Sequence, residues 1–280
     1  VVLIGSGDSG RSDCEDAAVT VQQPEPTRWT YLDAPVPFGF AHRGAHGPGV
    51  PENTMAAFQA AIDLGYRHVE TDVHATADGV LVVFHDDTLD RVTDRTGRVR
   101  DLPWSAVRQA RVAGTEPVPL LEDVLGAWPD LRLNVDVKED AAIGPTLEVL
   151  ARTRAHPRVC VGSFSRRRTR ALRAALPPGT ATAYAPAEVA LLRASTRRPS
   201  LRARLPRDVP CVQVPTAHRG VTIVDEAFVR AAHDLGCQVH VWTVNDEAEM
   251  LRLLRLRVDA LVTDEARLLR DVLAGWAVRS

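Results

Sequence analysis

Lysine is almost missing from this chain. Of 34 basic residues in 280, only Lys138 is a lysine and the other 33 are arginine. With abundant Ala and Val, this suggests a GC-rich coding bias that replaces Lys wherever Arg will serve. The one survivor is then either chance or a position where the wide guanidinium fork does not serve. Long apolar runs are missing too: none approaches the ~20 residues of a membrane helix, which excludes an integral membrane protein. A charge excess of either sign is absent, the net charge being −2 from 34 bases and 36 acids, so nothing pulls the whole molecule toward nucleic acid or anionic lipid. Cysteines number four (Cys14, Cys160, Cys211, Cys237) with no C-x-x-C spacing. A chain of this length needs no disulfide staples, and buried free thiols are expected. The amino terminus lacks the basic n-region of a secretory signal, from which a cytoplasmic location is expected. What is present is ordinary for a globular protein, 45% hydrophobic and 25% charged residues, which excludes a fibrous or wholly disordered chain.

Gly5, Gly7 and Gly10 spell G-x-G-x-x-G after the apolar run Val1 to Ile4, the pattern of a dinucleotide-binding turn. Such a turn must open a helix. The residues that follow, Arg11 to Asp16, lack a helical apolar stripe, and Gln22 to Pro26 read as linker. Residues 1–30 are therefore expected to be a flexible extension and residues 31–280 the folded unit.

From Phe38 onward, short β-branched runs alternate with helical patterns, which predicts βα units around a parallel sheet. The expected strands are Phe38–Ala41, His68–Val73, Leu131–Val137, Val159–Gly162, Ala181–Tyr184, Cys211–Val214, Gln238–Trp242 and Ala260–Val262. Eight strands with eight helices between and after them is the count of a (β/α)₈ TIM barrel, an α/β fold. A doubly wound sheet is the alternative, and the regular spacing favours closure. One gap breaks the rhythm: about 57 residues separate the second and third strands, far beyond a βα loop of roughly 2–6 residues plus a helix. Ala75–Pro119 is expected to be an insertion on the carboxyl-end face, with an extra strand near Gly79–Phe84.

The polar residues at the predicted strand ends carry the chemistry. His42, Arg43 and Gly44 follow the first strand, and Pro51-Glu52-Asn53-Thr54 leads into the first helix. Glu70 and Asp72 stand at i, i+2 in the second strand and share a face; Asp136 and Lys138 repeat that arrangement in the third. His85 and Asp86 end the extra strand. Carboxylates converging on one barrel mouth repel unless a cation neutralises them, and hard oxygen ligands select Mg²⁺ or Ca²⁺ over zinc. Two histidines there can supply a general base and a general acid near neutral pH. Arg43 and Lys138 favour an anionic substrate group, most simply a phosphate.

The ordered set His42-Arg43-Gly44, Pro51–Thr54, Glu70-Thr71-Asp72-Val73, Phe84-His85-Asp86, Asn134–Lys138 and Trp242-Thr243-Val244-Asn245 resembles the glycerophosphodiester phosphodiesterases, within the superfamily of PI-PLC-like phosphodiesterases. The resemblance covers about Tyr31 to Leu273. It implies a barrel that hydrolyses glycerophosphodiesters to sn-glycerol 3-phosphate and an alcohol. It implies further that Glu70, Asp72 and Asp136 bind a divalent cation with Glu52 close enough to assist, and that His42 and His85 are the acid–base pair. Arg43 and Lys138 would hold the phosphate, and Trp242 would line the glycerol or head-group side. Asp136 departs from the family's more usual Glu by one methylene, which keeps the charge and alters reach.

Other features read more plainly. Ala217-His218-Arg219-Gly220 repeats the first motif letter for letter, but no carboxylate pair follows it at matching spacing, so coincidence is the simpler account. His46, His68, His74, His156, His233 and His240 are expected to be packed or at the surface. Residues 152–207 hold 14 arginines against the single acid Glu188. Without interleaved aromatics for base stacking, these are expected to ride outer helix faces rather than to bind nucleic acid. The rival function is a lysophospholipase D or sphingomyelinase D-like activity on the same barrel. It needs an apolar path for an acyl chain, which Phe164, Val189 and Leu191 alone do not establish.

Overall fold

The structure is a computed structural model that describes residues 29–279. The Gly5–Gly10 pattern and Cys14 lie outside the described residues. Eight parallel strands run β1 Phe38–His42, β2 His68–Ala75, β3 Arg132–Val137, β4 Val159–Gly162, β5 Ala181–Thr182, β6 Cys211–Pro215, β7 Gln238–Trp242 and β8 Ala260–Thr263. Their order around the sheet is β5-β4-β3-β2-β1-β8-β7-β6, and a parallel bridge from Ala183 to Cys211 closes the ring between β5 and β6. The fold is a (β/α)₈ barrel, as the strand count predicts. Its helices are α1 Met55–Asp63, α2 Leu121–Ala127, α3 Ile143–Arg152, α4 Arg166–Ala175, α5 Pro186–Ser195, α6 Glu226–His233, α7 Glu247–Arg255 and α8 Ala266–Arg279. No helix among the described residues is long and apolar enough to cross a membrane.

Parallel strands covered by helices on one side and a filled lumen on the other bury both faces, and all eight residues of β2 are buried. The main core lies between strands and helices, with Val69, Leu133, Val161 and Val239 meeting Phe58, Leu172 and Leu253. A second cluster fills the lumen near the amino ends of the strands. There Tyr31 and Leu32, on a short 3₁₀ turn, plug the barrel against Phe38, Phe40, Cys160 and Cys211. The three described cysteines are free and buried. Side-chain caps start several helices: Thr54 accepts from Ala57 N on α1, Ser165 from Arg168 N on α4, Asp225 from Phe228 N on α6 and Asp246 from Glu249 N on α7. Each such cap is worth about 1 kcal/mol.

The long segment after β2 is an excursion with its own core, in which Val82, Phe84 and Leu89 pack on Val99, Val107 and Val112. Its strand is shorter than the expected 79–84: Leu81–Val83 pairs antiparallel with the end of β2, Val83 facing Val73 and Leu81 facing Ala75. That pairing carries His85 and Asp86 up to the rim where β2 ends. Of the 14 arginines in 152–207, six make ion pairs. Arg152 pairs with Glu122, Arg167 and Arg168 with Asp140, Arg173 with Glu188, Arg193 with Asp225 and Arg202 with Asp234. Five of those partnerships use acids outside the stretch, so part of the local excess is met through tertiary packing among the described residues.

Candidate active site

A cavity of about 700 Å³ opens at the carboxyl ends of the strands, and His42, Arg43, Glu70, Asp72, His85, Asp136, Lys138 and Trp242 all line it. Eight of the nine residues singled out above thus meet in one place. Glu52 does not line the cavity; it accepts from Arg43 Nη1 at 3.0 Å and from Arg91 Nη2 at 2.7 Å.

Strand register sets this meeting. His42 is level with Glu70, Glu70 with Asn134, and Asp72 with Asp136. Between Glu70 and Asp72, Thr71 points the other way and donates to Asn53 Oδ1 at 2.7 Å, while Asn53 Nδ2 donates to Asp72 Oδ2 at 3.0 Å. Asn53 holds a left-handed backbone (φ 55) to do so, the short polar side chain being among the few that tolerate it. Thr54 caps α1 beside it. Arg43 (φ 52) and Gly44 (φ 83) also take left-handed conformations. A Cβ on Gly44 would sit 2.6–2.8 Å from the Ala57 Cβ and backbone, so the turn lies flat against α1 only because that residue is glycine.

Lys138 Nζ stands between Asp72 Oδ1 at 2.7 Å and Asp136 Oδ2 at 2.8 Å. Burial opposes the ammonium's charge, yet Asp136 and Asp72 hold its pKa above the ordinary lysine value. Burial works on the acids too, but Lys138 outweighs it at Asp72, whose pKa falls, whereas at Asp136 burial wins and the pKa rises. Glu70 is pushed well up, first by burial and then by the charge of Asp72. Lys138 lies 5.9 Å over the Phe164 ring, and Phe164 meets Trp242 edge-on with centroids 5.5 Å apart. One wall of the charged centre is thereby aromatic.

Each of the two histidines is braced through Nδ1 by an acid at 2.6 Å, His42 by Asp264 and His85 by Asp86. Burial opposes ionisation of Asp264, but hydrogen bonds from His42, His46 and Asn245 take its pKa far below the usual carboxylate range. Asn245 Nδ2 donates to Asp264 Oδ2 at 2.8 Å and its Oδ1 accepts from Asp264 N at 2.9 Å. Asp86 is lowered to about 2, chiefly by hydrogen bonds from Arg91. Arg91 Nε reaches Asp86 Oδ2 at 2.5 Å while its Nη2 reaches Glu52. Arg91 and Glu52 thus tie His85, on the excursion, to Arg43, on the barrel. His46 Nε2 lies 3.1 Å from Asp264 Oδ1. With His42 these make one cluster able to hold a metal ion, three ligand atoms within 4.8 Å of one another and the sole such set among the described residues.

A profile of the glycerophosphoryl diester phosphodiesterase family matches residues 42–268, from the first braced histidine to α8. The chain belongs to that family. It is 46% identical over 235 residues to the probable glycerophosphodiester phosphodiesterase 2 of Mycobacterium tuberculosis, covering 83% of this chain and 89% of that protein. Among solved structures it resembles an Oleispira antarctica phosphodiesterase in complex with the product sn-glycerol-3-phosphate (25% identity, TM-score 0.69, 85% and 97% of the two chains). The glycerophosphodiester phosphodiesterase of Agrobacterium tumefaciens shares the fold (22% identity, TM-score 0.68, 83% and 98%). This chain is accordingly a phosphodiesterase on a (β/α)₈ barrel.

Three residues grouped around His42 are not marked by the sequence. His46 is expected to be packed or at the surface, Asp264 stands in none of the motifs, and Asn245 carries no role beyond its own. Their one legible signal is position, since Asp264 directly follows the last strand and Asn245 lies three residues past β7. His68 and His240 are buried in the lumen, as expected; burial lowers His68 to about 3, so it stays neutral at physiological pH.

Proposed function

We propose that this phosphodiesterase hydrolyses glycerophosphodiesters to sn-glycerol 3-phosphate and an alcohol, with His42 and His85 as the acid–base pair. The observation that carries the reading is the pair of histidines, each braced through Nδ1 by an ionised acid, on one cavity with Lys138 and three buried carboxylates. An acid on Nδ1 fixes the tautomer and leaves Nε2 to exchange a proton with substrate.

The carboxylates fit a divalent cation, Mg²⁺ or Ca²⁺. Glu70, Asp72 and Asp136 offer hard oxygen donors. Asp136 Oδ2 is buried without a hydrogen-bond partner, its 2.8 Å approach to Lys138 being an ion pair outside hydrogen-bond geometry. Glu70 is uncompensated enough that burial drives it toward protonation. By contrast, the oxygens of Asp264 are already occupied by His42, His46 and Asn245, which suits a brace better than a metal ligand. When bound, the cation supplies Lewis-acid stabilisation of charge on a non-bridging phosphoryl oxygen.

The protein's own groups do the rest. Arg43 and Lys138 draw in and orient the phosphate, and Glu52 orients Arg43. One histidine takes the proton of the attacking hydroxyl, the new P–O bond forms, the P–O bond to the alcohol breaks, and the other histidine protonates the departing oxygen. The attacking group is the glycerol 2-hydroxyl, giving a cyclic phosphate that water opens, or water itself; ³¹P NMR during turnover distinguishes them. The overall test is release of glycerol 3-phosphate from a panel of glycerophosphodiesters, with EDTA and with Mg²⁺ or Ca²⁺ restored. EDTA-sensitive release is expected, and none from any substrate overturns the proposal.

A second reading has a specific observation behind it. Val189, Ala190, Val214 and Ile223 line the cavity, and Phe164 and Val221 stand 61% exposed at its edge. Leu191 does not line it. That wall favours an acylated glycerophosphodiester, cleaved as a lysophospholipase D would. Comparing glycerophosphocholine with its acylated counterpart separates the two, and a kcat/KM no higher for the acylated form removes this reading.

A further inference from the structure

The repeated Ala217-His218-Arg219-Gly220 segment is not idle surface. Ala217–His218 and Val221–Thr222 pair as a two-residue-turn ribbon between β6 and α6, with Ala217 opposite Thr222 and His218 opposite Val221. Arg219 (φ 49) and Gly220 (φ 77) form the turn, where both central residues need positive φ and Asn-Gly or Asp-Gly is the usual choice. His218, Arg219 and Val221 line the same cavity as the acid–base pair.

The charges around that cavity are unevenly matched. Its acids are Glu70, Asp72 and Asp136, all on β2 and β3. Its cations are Arg43, Lys138, Arg193 and Arg219. Arg43 pairs with Glu52, Lys138 with Asp72 and Asp136, and Arg193 with Asp225 at 2.8 Å. Arg219 makes no ion pair with any described residue, and no acid lines the cavity on its side. The same cavity wall also includes Phe164, Val189 and Val221.

We propose that Arg219 is a specificity-determining residue that binds a second anionic group, carried by the alcohol moiety of the glycerophosphodiester, at the ribbon end of the cleft. Resting on the function proposed above, the inference names the preferred substrate class: glycerophosphodiesters whose alcohol bears a phosphate or carboxylate. A guanidinium presents a planar fork that matches either anion. The site is partly open to solvent, so the gain is modest and sensitive to salt.

The test uses the whole chain with three substrates sharing one reacting phosphodiester. In one the alcohol is uncharged, as in glycerophosphoglycerol; in the second it carries a phosphate diester, as in bis(glycerophospho)glycerol; in the third it carries a lone carboxylate, as in the diester of glycerol 3-phosphate with glycolate. The expected result is a kcat/KM about fivefold to tenfold higher for a charged alcohol than for the uncharged one, expressed in KM. In R219A the ratio should fall to about one; in R219K it should lie between, and 0.5 M NaCl should compress it in the wild type. R219G, which keeps the positive φ without strain, stands in should R219A fold poorly. Preference for both anions, or for the phosphate alone, supports the proposal and says which geometry the fork reads. An equal ratio in wild type and variants overturns it while glycerophosphoglycerol turnover leaves the proposed function intact. Turnover of none of the three overturns both.

Discussion

Two Ala-His-Arg-Gly turns stand on the rim of one barrel, with the same letters and nearly the same backbone. Arg43 and Gly44 have φ 52 and 83; Arg219 and Gly220 have 49 and 77. Everything around them differs. The first turn lies against α1, its histidine is braced by Asp264 and its arginine is held by Glu52 and Asp72. The second ends an exposed ribbon and makes no ion pair among the described residues. The same letters and nearly the same φ values thus stand in a braced, carboxylate-lined centre in one place and at an open cationic tip in the other. The surroundings confer the chemistry.

The sharpest way to break this contrast is to delete both histidines in turn. His42→Ala should lower kcat by roughly 10²–10⁴, the worth of a positioned acid or base, and His218→Ala by less than about threefold. Comparable losses would erase the distinction. The brace should come next: Asp264→Asn leaves the carbonyl but removes the charge, and a fall on the order of 10–10² in kcat with KM little altered is expected. Unchanged kinetics would return Asp264 to a structural role. Lys138→Arg keeps the charge that the first turn's neighbourhood contains and the second's lacks. The fork does not fit between Asp72 and Asp136 as an ammonium does, and kcat/KM should drop on the order of tenfold to a hundredfold from misplaced phosphate.

Stability sharpens the comparison further. Gly44→Ala must relieve contacts of 2.6–2.8 Å with Ala57 as well as a left-handed backbone, costing roughly 2–5 kcal/mol. Gly220→Ala meets nothing within 4 Å and should cost only about 1–2 kcal/mol for its φ. Denaturant midpoints of the two variants decide the order. The smallest effect concerns acid. Asp86 is depressed to about 2, so its contribution is fully present above the unfolded carboxylate value near 4 and is lost as pH falls from about 4 to about 2. Asp86→Asn should flatten the loss of stability over that window, as followed by circular dichroism.

The barrel was legible because buried parallel strands write themselves as β-branched runs, and six of the eight expected strands meet the observed bounds within one residue. The two that miss have local reasons: the strand expected at 181–184 stops at Thr182 where the ring closes by a single bridge, and β2 runs on to Ala75 to pair with the excursion. Glu70, Asp72, Asp136 and Lys138 were readable from period-two spacing at strand ends. Asp264 was not, since it meets His42 only once the ring closes, and His46 gains a role only through Asp264. Nothing in local spacing marked the Arg91–Glu52 tie or said that Glu52 would serve Arg43. The repeated turn was visible as letters, but its place beside the cavity depends on a ribbon that follows β6, three strands from β1 round the ring.

His42 and Asp264 are separated by 222 residues, and they join the first strand to the last. In terms of synthesis, a ribosome delivers His42 222 residues before its brace. The histidine of the first strand and the acid that braces it therefore meet only when the last strand docks on the first.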